Sequence, residues 1–154
     1  MYEEVLKMVR TQDDATKLDD ELDELLVAVY KTGDEFGRVM KGRVREVVAE
    51  VLSSEMRGDP GEQADYLRGL KKEIEGLPTM RMKLAFWPSR GFIERLSDWV
   101  KENVGAKVLL EVVREEELIG GTVIDYEGKY GDYSVSKTLR EFKFTDEAGR
   151  VSDG

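Results

Sequence analysis

Met80-Arg81-Met82-Lys83-Leu84-Ala85-Phe86 is the stretch that decides the fold. Its apolar residues Met80, Met82, Leu84 and Phe86 alternate with Arg81, Lys83 and Ala85, the two-residue period of a half-buried strand. Trp87-Pro88-Ser89 breaks it, and Ser89 is placed to N-cap a helix whose apolar face is Phe92, Leu96, Trp99, Val100 and Val104, with Gly105 as its stop. Lys107 to Val113 is rich in β-branched and aliphatic residues and reads as a second strand. Strand, helix and strand joined this tightly predict a right-handed parallel crossover.

Upstream of Leu77-Pro78 the period is helical. From Thr16 to Tyr30, Leu18, Leu22, Leu25, Leu26 and Val29 recur at steps of three and four, and Gly33 is the expected stop. A second helix is predicted over Phe36 to Met56, through Met40, Val44, Val47, Val48, Val51 and Leu52, ended by Gly58-Asp59-Pro60-Gly61. A third runs from Glu62 to Gly76 with Tyr66, Leu67, Leu70 and Ile74 on one side, and Tyr2 to Arg10 is a short candidate fourth. Short connections predict antiparallel packing of these helices.

Downstream, Leu118-Ile119-Gly120-Gly121 leads into Thr122-Val123-Ile124-Asp125-Tyr126, and a turn at Glu127-Gly128 returns the chain through Lys129-Tyr130-Gly131 as a hairpin. A closing helix is predicted from about Ser134, with Val135, Leu139 and Phe142 on one face, before a frayed end. The expected fold is therefore α+β. Antiparallel helices over residues 1–77 precede a small β-α-β-β-β-α module with a mixed sheet over 78–145, and a flexible tail is expected over 146–154.

Composition narrows the chemistry. The chain has 154 residues, of which 40% are apolar and 37% charged, enough for a modest core under a highly charged surface. A net charge of −9 repels phosphate backbones and anionic membrane surfaces, so nucleic acid is not an expected partner. With neither cysteine nor histidine, disulfides, thiolate metal sites and the usual near-neutral base are all excluded. The acidic start Met1-Tyr2-Glu3-Glu4 is followed by no long apolar run, so neither a signal peptide nor a membrane span is expected, and the cytoplasm is the expected compartment.

One constellation is specific: Leu118-Ile119-Gly120-Gly121, ten residues, Asp132-Tyr133-Ser134, and four more before Leu139. This resembles the C-terminal signature of the delta subunit of rotary F-type ATP synthases, the oligomycin-sensitivity-conferring type, over roughly Met80 to Glu141. The resemblance implies a non-catalytic peripheral-stalk, or stator, subunit of a proton-translocating complex. Its C-terminal domain would grip the ends of the b-type stalk helices. Its N-terminal helices, here shorter than the family's bundle, would either meet the catalytic head, with its alpha subunit as the candidate contact, or extend the stalk contact as a helical hairpin over Leu18 to Ile74. Localisation would be cytoplasmic, peripheral to the inner membrane, and membrane contact only indirect through the complex.

The residues themselves give that motif a structural meaning. Paired glycines at a strand entrance permit φ > 0 or the close approach of another backbone, and Asp132 and Ser134 are placed to accept from free N–H groups at the start of the last helix. No Lys-Ser or Lys-Thr follows Gly120-Gly121 at phosphate-loop spacing. Asp125 and Asp132 could pair as acid and base on the hairpin, though turn, cap or solvent-facing roles account for them. Ser134-Val135-Ser136-Lys137 and Lys31-Thr32-Gly33 match fragments of a penicillin-binding site, but in the wrong order. Gly128-Lys129-Tyr130-Gly131 fits a KH loop only if it joins two helices. No catalytic residue, metal ligand or cofactor is expected. Trp87, at a strand end, is the candidate anchor for a partner. An unrelated helical adaptor and, less well supported, a small carboxylate-dependent enzyme are the alternative readings.

Overall fold

The computed structural model describes residues 2–115, 121–126 and 129–134. The chain divides into two compact units: Met1–Val9 with Asp13–Leu77 form one, and Arg10–Gln12 with the chain from Pro78 onward form the other.

The first unit is helical: α1 (Glu3–Lys7), α2 (Gln12–Ala28, whose first residue belongs to the other unit), α3 (Glu35–Gly42), α4 (Glu46–Glu55) and α5 (Pro60–Glu75). Their apolar stripes supply the core: Leu18, Leu22 and Leu25 from α2, Val48 and Leu52 from α4, and Leu67 and Leu70 from α5 are all buried. α2 starts four residues before the predicted Thr16, which brings Ala15 into the core. Gly33 lies beyond its end with φ +78, the left-handed conformation that a side chain disfavours.

α5 has the clearest local cause. Asp59 accepts from the Glu62 N–H at 2.9 Å while Glu62 accepts from the Asp59 N–H at 3.0 Å, with Pro60 at the first helical position. Two sets of contacts tie elements of this unit together. Lys71 of α5 reaches Asp19 and Asp23 of α2 at 2.7 and 2.6 Å. The Tyr2 ring meets the edge of Tyr66 at 5.0 Å, and the Tyr66 hydroxyl donates to Glu55.

The single helix predicted over Phe36 to Met56 is instead two, broken at Arg43–Arg45. Arg45 adopts extended angles (φ −57, ψ 139) as the N-cap of α4, and its backbone N–H donates at 3.0 Å to the carboxylate of Glu21, not to a helical carbonyl. A tertiary contact overrides the periodicity here.

The second unit is a four-stranded sheet in the order β2-β1-β3-β4 with one helix against it: β1 (Thr79–Leu84), α6 (Arg90–Asn103), β2 (Leu109–Arg114), β3 (Gly121–Tyr126) and β4 (Lys129–Ser134). β1 and β2 are parallel, while β1–β3 and β3–β4 are antiparallel. The architecture is α+β, and the predicted closing helix lies outside the described residues except for Ser134, the last residue of β4.

Alternation along β1 buries Met80, Met82 and Leu84, which pack with Leu96 and Val100 of α6, Val108, Leu110 and Ile124. Phe92, Trp99 and Val104 pack against the same core while only partly buried. Ser89 caps α6 as expected, accepting from the Phe92 N–H at 3.1 Å. Phe86 departs from the alternation: β1 ends at Leu84, and Phe86 is 40% exposed.

Residues 10–12 lie along the β2 edge. Thr11 bridges Leu110 in parallel, the Leu110 N–H donates to the Arg10 carbonyl at 3.0 Å, and the buried Ser97 hydroxyl donates to that same carbonyl at 3.3 Å. Arg10 also pairs with Asp98 at 3.5 Å. These bonds satisfy polar groups that an open sheet edge would leave bare.

Candidate docking surface

An antiparallel ladder places facing residues so that their numbers have a constant sum, and β3–β4 runs from Tyr126↔Lys129 to Gly121↔Ser134. The ten residues between Gly121 and Asp132 noticed in the sequence therefore fall within one hairpin, β3 paired with β4. Gly121 and Ser134 are direct cross-strand partners, and Asp132 faces Val123. Asp132 therefore stands inside β4, and the closing helix it was read to cap lies outside the described residues. Gly120 and Leu139 lie outside the described residues. Lys129, Tyr130 and Gly131 belong to β4, which does not fit a loop joining two helices.

The register also gathers the motif at one end of the sheet. Leu84, the last residue of β1, faces Thr122 of β3 on one side and Arg114 of β2 on the other. Gly121 and Ser134 follow at the same end, where β1 runs out toward Phe86 and Trp87.

An aromatic corner occupies this end. Trp87 is 72% exposed, and the Arg114 guanidinium lies over its ring at 5.5 Å from the centroid. Phe86 meets Phe92 edge to face at 6.1 Å and 70°. The Glu115 N–H donates to the Leu84 carbonyl at 2.8 Å, which fixes the chain just past Arg114. A large, stiff ring held by a cation and left in water is the composition of an interface anchor.

Of the residues singled out from sequence, the structure brings Gly121, Ser134 and Trp87 to one end of the sheet. Arg114 was missed, and Phe86 was read as one of the alternating apolar residues of the strand. The signal for Arg114 was available in the parallel crossover: equal strands in register set the end of the second beside the end of the first.

The arrangement offers surface and shape. Among the described residues no three Asp or Glu side chains gather as a metal site, and no helix is long and apolar enough to cross a membrane.

A comparison with protein families matches residues 61–145, more than half of the chain, to the ATP synthase delta (OSCP) subunit. No curated protein sequence matches this one.

Proposed function

The chain belongs to the ATP synthase delta (OSCP) subunit family, non-catalytic subunits of the peripheral stalk, and on that footing we propose that its sheet unit docks the C-terminal helical end of a b-type stalk subunit. The helical unit, α1 to α5, takes the second contact, with the alpha subunit of the catalytic head. The subunit thereby links head to stalk in a proton-translocating complex, on the cytoplasmic side and peripheral to the inner membrane. Residues 78–145 are the docking domain.

The observation that carries the reading is the coincidence of family match and site. The match extends through the β1-α6-β2-β3-β4 unit, and the signature residues Gly121 and Ser134 meet across one hairpin at the end of the sheet where β1 runs out toward Trp87. An amphipathic helix laid against such a corner would gain most from a few buried apolar anchors. The acidic remainder of the chain favours a partner with basic flanks and raises the association rate at low salt.

The test is a titration of isotope-labelled full-length chain with peptides from the C-terminal ends of the same cell's stalk subunits, followed by amide NMR shifts. Perturbations confined to the second unit, strongest around Phe86, Trp87 and Arg114, are expected. Perturbations confined to α2–α5 would assign stalk docking to the other unit. Binding of no stalk peptide, with an unrelated complex recovered by affinity purification, would favour the helical-adaptor reading.

A further inference from the structure

The break between α3 and α4 lacks an ordinary local cause. No proline lies between Phe36 and Met56, and Gly42, at the end of α3, is not among the described glycines with positive φ. The buried residues Met40, Val44, Val48 and Leu52 recur every fourth position straight through the break, the stripe that an uninterrupted helix would present.

What interrupts the helix comes from α2. The Glu21 carboxylate accepts from the Arg45 backbone N–H at 3.0 Å, from its Nε at 2.8 Å and from its Nη2 at 3.0 Å. A helix running through Arg45 would commit that same N–H to the carbonyl of Lys41. Glu21 therefore competes with the helix for one donor, and it does so with a charged acceptor in a bidentate grip, the stronger kind of hydrogen bond. Its position is secure because its side chain is only 10% exposed, where a carboxylate requires partners. Arg45, at 44% exposed, remains solvated if the grip is lost.

We propose that residues 35–55 are one helix held bent by Glu21, a latch whose release joins α3 and α4 into a continuous helix. Release turns the Arg45 N–H to the Lys41 carbonyl, and the direction of α4, which carries the exposed Val47, changes relative to α3. Glu21 is a positioning residue: it acts through the Arg45 backbone and touches no ligand.

The experiment uses full-length protein carrying Glu21→Leu, which fills the site but offers no acceptor, with helical state read from backbone carbon shifts at residues 42–46. Continuous helical shifts through Arg43, Val44 and Arg45 are expected, together with a scalar coupling across the hydrogen bond from the Arg45 N–H to the Lys41 carbonyl. A folded variant that keeps non-helical shifts at Arg45 overturns the proposal. Should Glu21→Leu fail to fold, Glu21→Gln keeps the shape and one oxygen while losing the charge. Relaxation dispersion at Val44, Arg45 and Glu46 is then expected to report exchange with a helical minor state. Flat dispersion there, or exchange toward random-coil shifts, overturns it.

Discussion

Three glycine-to-alanine substitutions separate backbone conformation from side-chain crowding. Gly58 has φ +86, and a Cβ built on it would lie 1.6 Å from Oε2 of Glu62, the oxygen that accepts from the Asp59 N–H. Gly58→Ala must therefore adopt a disfavoured backbone and also expel one half of the α5 capping box. Gly33 has φ +78, but a Cβ there meets nothing within 4 Å, so Gly33→Ala suffers the first effect alone. Gly42 combines open space with an ordinary helical setting and suffers neither.

The left-handed region costs a non-glycine residue roughly 1–2 kcal/mol, offset by about 0.4–1 kcal/mol because alanine restricts the unfolded chain. An exposed capping bond adds about 0.5–1 kcal/mol. Gly33→Ala should thus destabilise by about 1 kcal/mol, Gly58→Ala by about 1.5–2 kcal/mol, and Gly42→Ala should stabilise by about 0.5–1 kcal/mol. Urea unfolding followed at 222 nm on full-length protein measures all three. Equal losses for Gly58→Ala and Gly33→Ala would show that Glu62 yields freely and that the capping argument is wrong. A neutral Gly33→Ala would refute the conformational part.

Trp87→Ala should shift stability by less than about 1 kcal/mol, since the ring is exposed, yet weaken stalk-peptide binding at least about tenfold by calorimetry. Ser97→Ala should cost about 1 kcal/mol and speed hydrogen exchange at the Leu110 amide, because the Arg10 carbonyl loses one of its two donors. Burial, and then the Glu55 carboxylate, raise the Tyr66 phenol above its ordinary value. The folded chain thus holds that proton longer than the unfolded one, so this contribution to stability is complete below about pH 10 and is lost as pH rises beyond it. Thermal melts from pH 8 to 11 should show a smaller alkaline loss for Tyr66→Phe, and an unchanged loss would contradict the assignment.

Where a local rule governs, the sequence reads true. Alternation at Met80, Met82 and Leu84, the Ser89 cap and the apolar face of α6 all follow from neighbours within one turn or one pleat. The hairpin was legible from the turn signal Glu127-Gly128 set between two strand-forming runs. The misses share another cause. Glu21 acts on Arg45 across 24 residues, and residues 10–12 join a β2 edge about a hundred positions downstream, so no window of the sequence contains both partners. β4 runs further than its residues suggest: Gly131 and Asp132 have low strand propensity, and pairing with β3 overrides it. At the docking corner, Trp87 announced itself as an aromatic beside a proline, whereas Arg114 acquires meaning only once β1 and β2 lie side by side.

The identity of Gly121 and Ser134 as cross-strand partners has a consequence for how such chains diverge. A substitution at either position changes one pair, but a single inserted or deleted residue within one strand of the hairpin moves every later pair and turns that strand's inward side chains outward. Length between the two landmarks is then the property under constraint, more than the letters that mark them. Distant relatives should keep the count while the glycines, the aspartate or the serine drift. A chain with all four letters and the wrong count should be treated as an impostor.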